Sequence, residues 1–303
     1  MAAQVTPPHR PPLASGTQLD KYRILQVLAT GGFSMVYLAH DENEAPVAIK
    51  EYRLAADDPQ KFNDGMRCFL EEGRALAHLT HPNLVRVLNF FRANDTVYLV
   101  MRYERGRTLL EHIRQRRGPM EEAWLRNTFA QLLNGLREVH TNRLLHLDIK
   151  PANVYIRNDG TPVLIDFGGA RQTLAGGGIK LPPTYTPGFA SPEQHVDREM
   201  LGPWSDIYSV GATMYASLAG EPPQSAEERL DHDTVVPARR AWRGKYSKEL
   251  LDTIDWCLKV FHFERPQSVL ALQKALLGEK QPAAADHTVV TGLKAALMKF
   301  RGN

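Results

Sequence analysis

The sequence predicts an α+β protein of two lobes: a small antiparallel-sheet lobe with one main helix, then a larger helical lobe. Three features predict it. Short alternating runs bounded by turn residues fill the chain as far as Met101. Apolar residues recur at helical spacing beyond Gly106. A loop-rich stretch spans residues 144–193 within the helical part.

Residues 1–18 are rich in proline and polar side chains and read as an extended leader. Tyr22 to Leu28 and Phe33 to Ala39 alternate as strands joined at Gly31 and Gly32, and Pro46 to Tyr52 supplies a third. Over residues 60–79, Phe62, Met66, Phe69, Gly73, Leu76 and Ala77 fall on one helical face. Val85 to Phe91 and Thr96 to Met101 complete the sheet, which puts the first lobe at 19–103. In residues 120–140, Leu125, Phe129, Leu132, Leu133, Leu136 and Val139 form the buried stripe of a long helix. Helices near 204–219, 247–259 and 266–277 follow, so the second lobe runs over 104–278. Gln281, Pro282 and the alanines after them open a linker in 279–303. Beyond it, Val289, Val290, Leu293, Ala296, Leu297 and Phe300 line a short amphipathic helix, with Lys294, Lys299 and Arg301 on its basic remainder. Docking of that stripe on the folded lobes ranks ahead of contact with a membrane surface or a lead into a further domain.

Composition narrows the function classes. Hydrophobic residues make up 43% of the 303 residues, enough for a sizeable core, and a net charge of +3 does not call for nucleic acid or membrane. The clusters Arg114, Arg116, Arg117 and Arg239, Arg240, Arg243 read as solvated surface. The two cysteines, Cys68 and Cys257, offer neither a disulfide framework nor zinc spacing, so a reducing, cytoplasmic setting is expected. The N-terminus lacks the apolar core of a secretory signal. No run reaches the roughly 18 apolar residues of a membrane span.

Two regions carry chemistry. Gly31 and Gly32 lie in a turn where backbone amides can approach an anion, and Lys50 follows one hairpin later, where a strand lysine can reach phosphates. Paired glycines alone also make ordinary hairpins. More specific is the run from His146 to Asn153 followed by Asp166, Phe167 and Gly168. Phosphoryl transfer needs an oriented nucleophile, neutralised phosphate charge and in-line geometry. Asp148, Lys150 and Asn153 could supply these, with Asp166 to hold a metal.

These motifs resemble those of the eukaryotic-like protein kinases, especially the bacterial serine/threonine members, over roughly Tyr22 to Leu277. The resemblance implies a two-lobed kinase fold that moves the γ-phosphoryl group of ATP onto serine or threonine hydroxyls of protein substrates, with autophosphorylation. It implies Mg2+ as cofactor, with Mn2+ as a substitute. It gives Lys50 contact with the α/β-phosphates and pairing with Glu72, chosen over Glu71 because Leu76 lies four residues on. Asp148 would orient the acceptor hydroxyl, Lys150 neutralise the moving phosphoryl group, and Asn153 and Asp166 bind the metal. Leu28, Gly31, Gly32, Phe33 and Val36 would cover the nucleotide. Ala48, Val36 and Tyr155 would sandwich adenine, Met101 would flank it, and the backbone from Arg102 through Tyr103 to Glu104 would meet its edge. Structural matches are Glu193 pairing with Arg265, Asp206 holding the catalytic-loop backbone, and a packed column of Leu76, Val87, His146 and Phe167. His146 reads as a core histidine rather than an acid or base.

Departures carry information. Ala29 and Ser34 replace glycines of the phosphate loop. Leu147 replaces the arginine that pairs with activation-loop phosphate in most relatives, so activity is expected not to depend strictly on phosphorylation there. The loop hydroxyls are Thr173, Thr184, Tyr185 and Thr186; the three threonines are candidate phosphosites, and Thr186 reads as a structural residue near the catalytic loop rather than a regulatory one. Ala152 and Thr108 stand where arginine-directed relatives carry acids, so no strong upstream arginine preference is expected. Two other readings compete: a pseudokinase scaffold that binds nucleotide or partner proteins, and a small-molecule phosphotransferase on a related fold. Lys50, Glu72, Asp148, Asn153 and Asp166 weigh against the first, and the segment Ser191, Pro192, Glu193 against the second.

Overall fold

Strands with two apolar faces build the first lobe. The computed structural model describes residues 11–32, 34–53, 59–167, 171–172, 185–196 and 198–278. The sheet comprises β1 (Gln18–Leu19), β2 (Tyr22–Thr30), β3 (Ser34–His40), β4 (Pro46–Tyr52), β5 (Val87–Ala93) and β6 (Thr96–Arg102), with α1 (Pro59–Ala77) inserted after β4. Its order is β1-β2-β3-β4-β6-β5, antiparallel throughout. A short strand precedes the one the sequence places from Tyr22, since Gln18 pairs with Arg23.

Side chains alternate across a strand, and each face finds its own core. Val97 and Leu99 of β6 pack with Phe69 and Leu76 of α1, whereas Tyr98 and Val100 pack with Tyr37 and Ile49. The neighbours Lys50 and Glu51 are likewise both buried yet meet different partners. Glu51 accepts hydrogen bonds from the Tyr37 hydroxyl at 2.6 Å and the Tyr98 hydroxyl at 3.2 Å. Burial and the Glu51 bond push the Tyr37 phenol up.

The second lobe starts with β7 (Gly106–Thr108), α2 (Leu109–Gln115) and α3 (Glu122–Thr141). It continues through β8 (Leu144–Leu145), β9 (Val154–Arg157), β10 (Pro162–Leu164) and β11 (Arg171–Gln172). Helices α4 (Pro192–Val196), α5 (Pro203–Ala219), α6 (Ala226–Asp231), α7 (Ala238–Ala241), α8 (Lys248–Cys257) and α9 (Val269–Leu276) complete it. Local chemistry sets the helix starts. Thr108 and Ser225 form capping boxes with Glu111 and Glu228, and Ser247 and Ser268 cap α8 and α9. α5 is buried on nearly every side, from Ser205 through Leu218, and forms the axis of the lobe. No described helix is long and apolar enough to cross a membrane.

The lobes are tied at the back. The Leu164 amide donates to Asn83 O at 2.9 Å, the Val85 amide donates to Leu164 O at 3.0 Å, and Asn83 Nδ2 donates to Pro162 O at 2.8 Å. Deeper in the second lobe, Arg265 is 2% exposed and donates to Glu193 at 2.8 and 3.0 Å. Its remaining reach is used by the carbonyls of Lys259, Val260 and Trp204, while Ser205 Oγ donates to Glu193 at 2.7 Å. Burial alone pushes the Glu193 carboxyl up. The Arg265 charge and hydrogen bonds, with Ser205, outweigh it and hold the group below the usual carboxylate range.

Breaking a buried pair strands the surviving charge. Arg265→Ala is expected to lower unfolding free energy by about 3–5 kcal/mol, read from urea denaturation. Because the folded-state value of Glu193 is depressed, its contribution is complete above the ordinary carboxylate range and is lost as pH falls through and below it. The gap between wild type and Arg265→Ala should therefore narrow in acid, and a gap independent of pH would contradict the pairing.

Candidate active site

The loop after β8 is held in a conformation that a free chain would avoid. Leu147 adopts left-handed φ of +59°, uncommon outside glycine. Its amide donates to Asp206 Oδ1 at 2.7 Å and its carbonyl accepts from Gln194 Nε2 at 3.0 Å. The His146 amide donates to Asp206 Oδ2 at 2.9 Å, and His140 Nε2 lies 2.7 Å from the same oxygen. Asp206 is fully buried at the start of α5. Burial pushes its carboxyl up, but the His140 hydrogen bond and the His146 amide outweigh it and hold the group below the usual range. The His146 ring accepts the Asp148 amide at Nδ1, 3.2 Å, and lies 4.4 Å from the Phe167 ring. Burial pushes its imidazole down, in keeping with Nδ1 acting as an acceptor. Leu76, Val87, His146 and Phe167 are all buried.

That loop presents Asp148. Its carboxylate receives Lys150 Nζ at 2.8 and 3.0 Å, Thr186 Oγ1 at 2.9 Å and Asn153 Nδ2 at 2.9 Å. Lys150 Nζ also donates to Thr186 Oγ1 at 2.8 Å, so the threonine hydroxyl relays between cation and anion. Asn153 sits in a 3-10 turn over Pro151–Asn153, and its carbonyl accepts the Ile165 amide at 2.9 Å. This ladder bond brings the next segment alongside. Asp166 follows, at φ +57°, and meets Lys50 Nζ at 2.6 Å across the cleft. Lys50 is 6% exposed and also lies over the Phe69 ring.

Several residues assigned to a nucleotide pocket lie on the adjacent strands β2, β3, β4 and β6. Ala48 pairs with Met101, and Val36 pairs with Lys50. The Gly31 amide donates to Ser34 O at 2.8 Å and closes the β2–β3 turn; neither Gly31 nor Gly32 has positive φ. Leu28 is exposed, Tyr103 and Tyr155 are half-buried, and the Arg102 amide is tied to Arg86 O at 2.9 Å. The side chain of Glu104 is engaged on the second lobe, where Arg157 donates to both its oxygens at 2.7 Å and to Pro82 O at 3.1 Å. Phe33, Thr173, Thr184 and the Glu72 side chain lie outside the described residues. Thr186 is part of the Asp148 cluster rather than a surface hydroxyl.

Sequence reasoning missed His140, Gln194 and Arg157. Each acts across dozens of residues, and no local pattern announces such a bond. A metal fits the residues present. Asn153 spends Nδ2 on Asp148, so Oδ1 is the atom it can offer, and Asp166 is a carboxylate with its side chain 42% exposed. Among the described residues no group of three His, Cys, Asp or Glu forms a metal cage. Two oxygen ligands suit a small hard cation that keeps waters and binds substrate phosphates.

Comparison with known proteins agrees with this geometry. A family model described as protein kinase domain matches residues 22–277. The serine/threonine-protein kinase PknA of Nostoc sp. is 32% identical over 234 residues, covering 73% of this chain and 41% of PknA. PrkC of Bacillus subtilis is 31% identical over 234 residues, covering 73% of this chain and 35% of PrkC. The chain thus spans well under half the length of these curated relatives. The solved structure of PpkA-294 in its apo form is 32% identical, superposes with a TM-score of 0.76, and covers 87% of this chain and 99% of that one. The chain belongs to the protein kinase domain family and stands among its serine/threonine members of bacterial type.

Proposed function

We propose that this chain transfers the γ-phosphoryl group of ATP to serine or threonine hydroxyls of proteins. The observation that carries the reading is the convergence of Asp148, Lys150, Asn153 and Thr186 in one hydrogen-bonded cluster, with Lys50 joined to Asp166 beside it. Members of this family use ATP with a divalent metal, usually Mg2+.

The roles follow from position. Asp148 accepts or orients the proton of the acceptor hydroxyl, and its carboxylate is fixed by three side chains, so little reorganisation remains at reaction. Lys150, within 3.0 Å of Asp148, places a positive charge where the moving phosphoryl group gathers negative charge. Thr186 fixes the lysine against the aspartate. Lys50, buried and aimed at Asp166, holds α/β-phosphates; Asp166 Oδ and Asn153 Oδ1 would hold the metal. When bound, that cation would neutralise phosphate charge. Two unit charges ~4 Å apart interact by about 4 kcal/mol at an effective dielectric near 20, so each cationic group matters. The pseudokinase reading has no observation in its favour.

Two outcomes test this. In radiolabelled ATP assays with a generic acceptor protein, Lys50→Met, Asp148→Asn and Asp166→Asn should each lose at least roughly 10²–10³ in rate. Unchanged turnover of Asp166→Asn would refute its assignment. Separately, Asp148 and its loop are held by Asp206, Gln194 and Thr186, and Leu147 is buried with no charge to pair with phosphate. Phosphatase-treated protein should therefore keep its activity, and loss of activity after that treatment would overturn the independence from loop phosphorylation.

A further inference from the structure

We infer that a cavity beside Lys150 selects a large apolar side chain of the protein substrate, within about three residues of the hydroxyl being phosphorylated at strand spacing. This rests on the phosphotransfer reading and names the substrate feature it uses. The cavity has a volume of about 260 Å³. Lys150 and Thr186 line it and also belong to the Asp148 cluster, so a peptide with its hydroxyl at Asp148 passes its mouth.

The walls decide the chemistry. Leu110 and Ile113 come from α2, Ala216 from α5, and Phe189 from the segment before α4. Lys150 and Glu221 are the charged lining residues. A basic substrate side chain would meet the Lys150 cation and an exposed Glu221, whose attraction is screened. An acidic one would give up water for apolar walls, since Lys150 is already paired. Leucine, methionine or phenylalanine there loses only unfavourable contact with water.

The cavity is pre-formed. Gly188 has φ +82°, and a Cβ there would stand 2.7 Å from both Pro222 Cβ and Pro223 O, so only glycine lets this segment close on the end of α5. Ser209 Oγ donates to Phe189 O at 2.8 Å. Gly220 ends α5 at φ +91°, and Arg116 donates to Leu218 O at 2.9 Å. Ordering these walls costs a bound peptide little.

The test uses serine peptides varied one position at a time on both sides of the acceptor. Steady-state kinetics with Mg-ATP are paired with fluorescence anisotropy of the same labelled peptides without nucleotide. At one position, leucine should raise kcat/KM and tighten binding roughly tenfold or more over alanine, arginine or glutamate. Leu110→Glu should erase the leucine advantage and favour arginine. Pro222→Glu, at the exposed rim, should weaken the leucine peptide selectively and serves if Leu110→Glu fails to fold. Equal values for leucine, alanine and arginine overturn the inference, as does a leucine preference that survives a folded Leu110→Glu. If no peptide is phosphorylated, the phosphotransfer reading fails instead, and the anisotropy ranking still decides whether the cavity selects apolar side chains.

Discussion

One buried carboxylate, that of Asp206, fixes the geometry on which the chemistry depends. It accepts two consecutive loop amides, from His146 and Leu147, and the His140 ring besides. A fully buried charge is costly unless every lone pair is used, and here both oxygens are engaged. Its helix, α5, is packed on nearly all sides, so the anchor cannot drift. Leu147 is held in its left-handed conformation from both ends of its peptide unit, by Asp206 and by Gln194. The orientation of Asp148, the next residue, is inherited from that constraint. The Glu193–Arg265 pair fixes the same core from the other end, because Ser205, which donates to Glu193, is the immediate neighbour of Asp206.

The lobes meet through bonds of two kinds. Behind the cleft, Asn83 and Val85 join β10 by backbone hydrogen bonds, and Arg157 clamps Glu104 and Pro82. Of the groups assigned to nucleotide they engage only Glu104, through its side chain rather than the backbone assigned to adenine. Across the cleft, Lys50 meets Asp166, and both are groups that phosphate and metal would engage. The first set fixes the hinge while the second can exchange partners, which is the division a cleft enzyme requires.

Much of this was legible in the sequence, because period and cap chemistry are local. The alternating strands, the stripe of α3 and the helices α5, α8 and α9 fall where spacing put them, within a few residues. Lys50, Asp148, Asn153 and Asp166 came from spaced motifs, and the fold brings them together. What sequence could not give were bonds between distant residues. His140 lies 66 positions from Asp206, Gln194 lies 47 from Leu147, and Arg157 lies 53 from Glu104. Glu51 shows the same limit. It is buried between two tyrosine hydroxyls, on the face of the sheet opposite to that of Lys50. Short elements such as α4, α6 and α7 carry too few residues for a period to register.

Thr186 links positioning to selection. Its hydroxyl accepts from Lys150 and donates to Asp148, which fixes the charge pair at the centre of the cleft. Its backbone carbonyl accepts the amides of Phe189 and Ala190 at 3.1 Å, which turns the chain so that Phe189 closes the neighbouring cavity. The segment that orders the catalytic cluster is thus the one that shapes the apolar wall. A buried leucine at position 147 is consistent with that arrangement. With the loop tied to Asp206, Gln194 and Thr186, its order comes from hydrogen bonds and ion pairs within the second lobe.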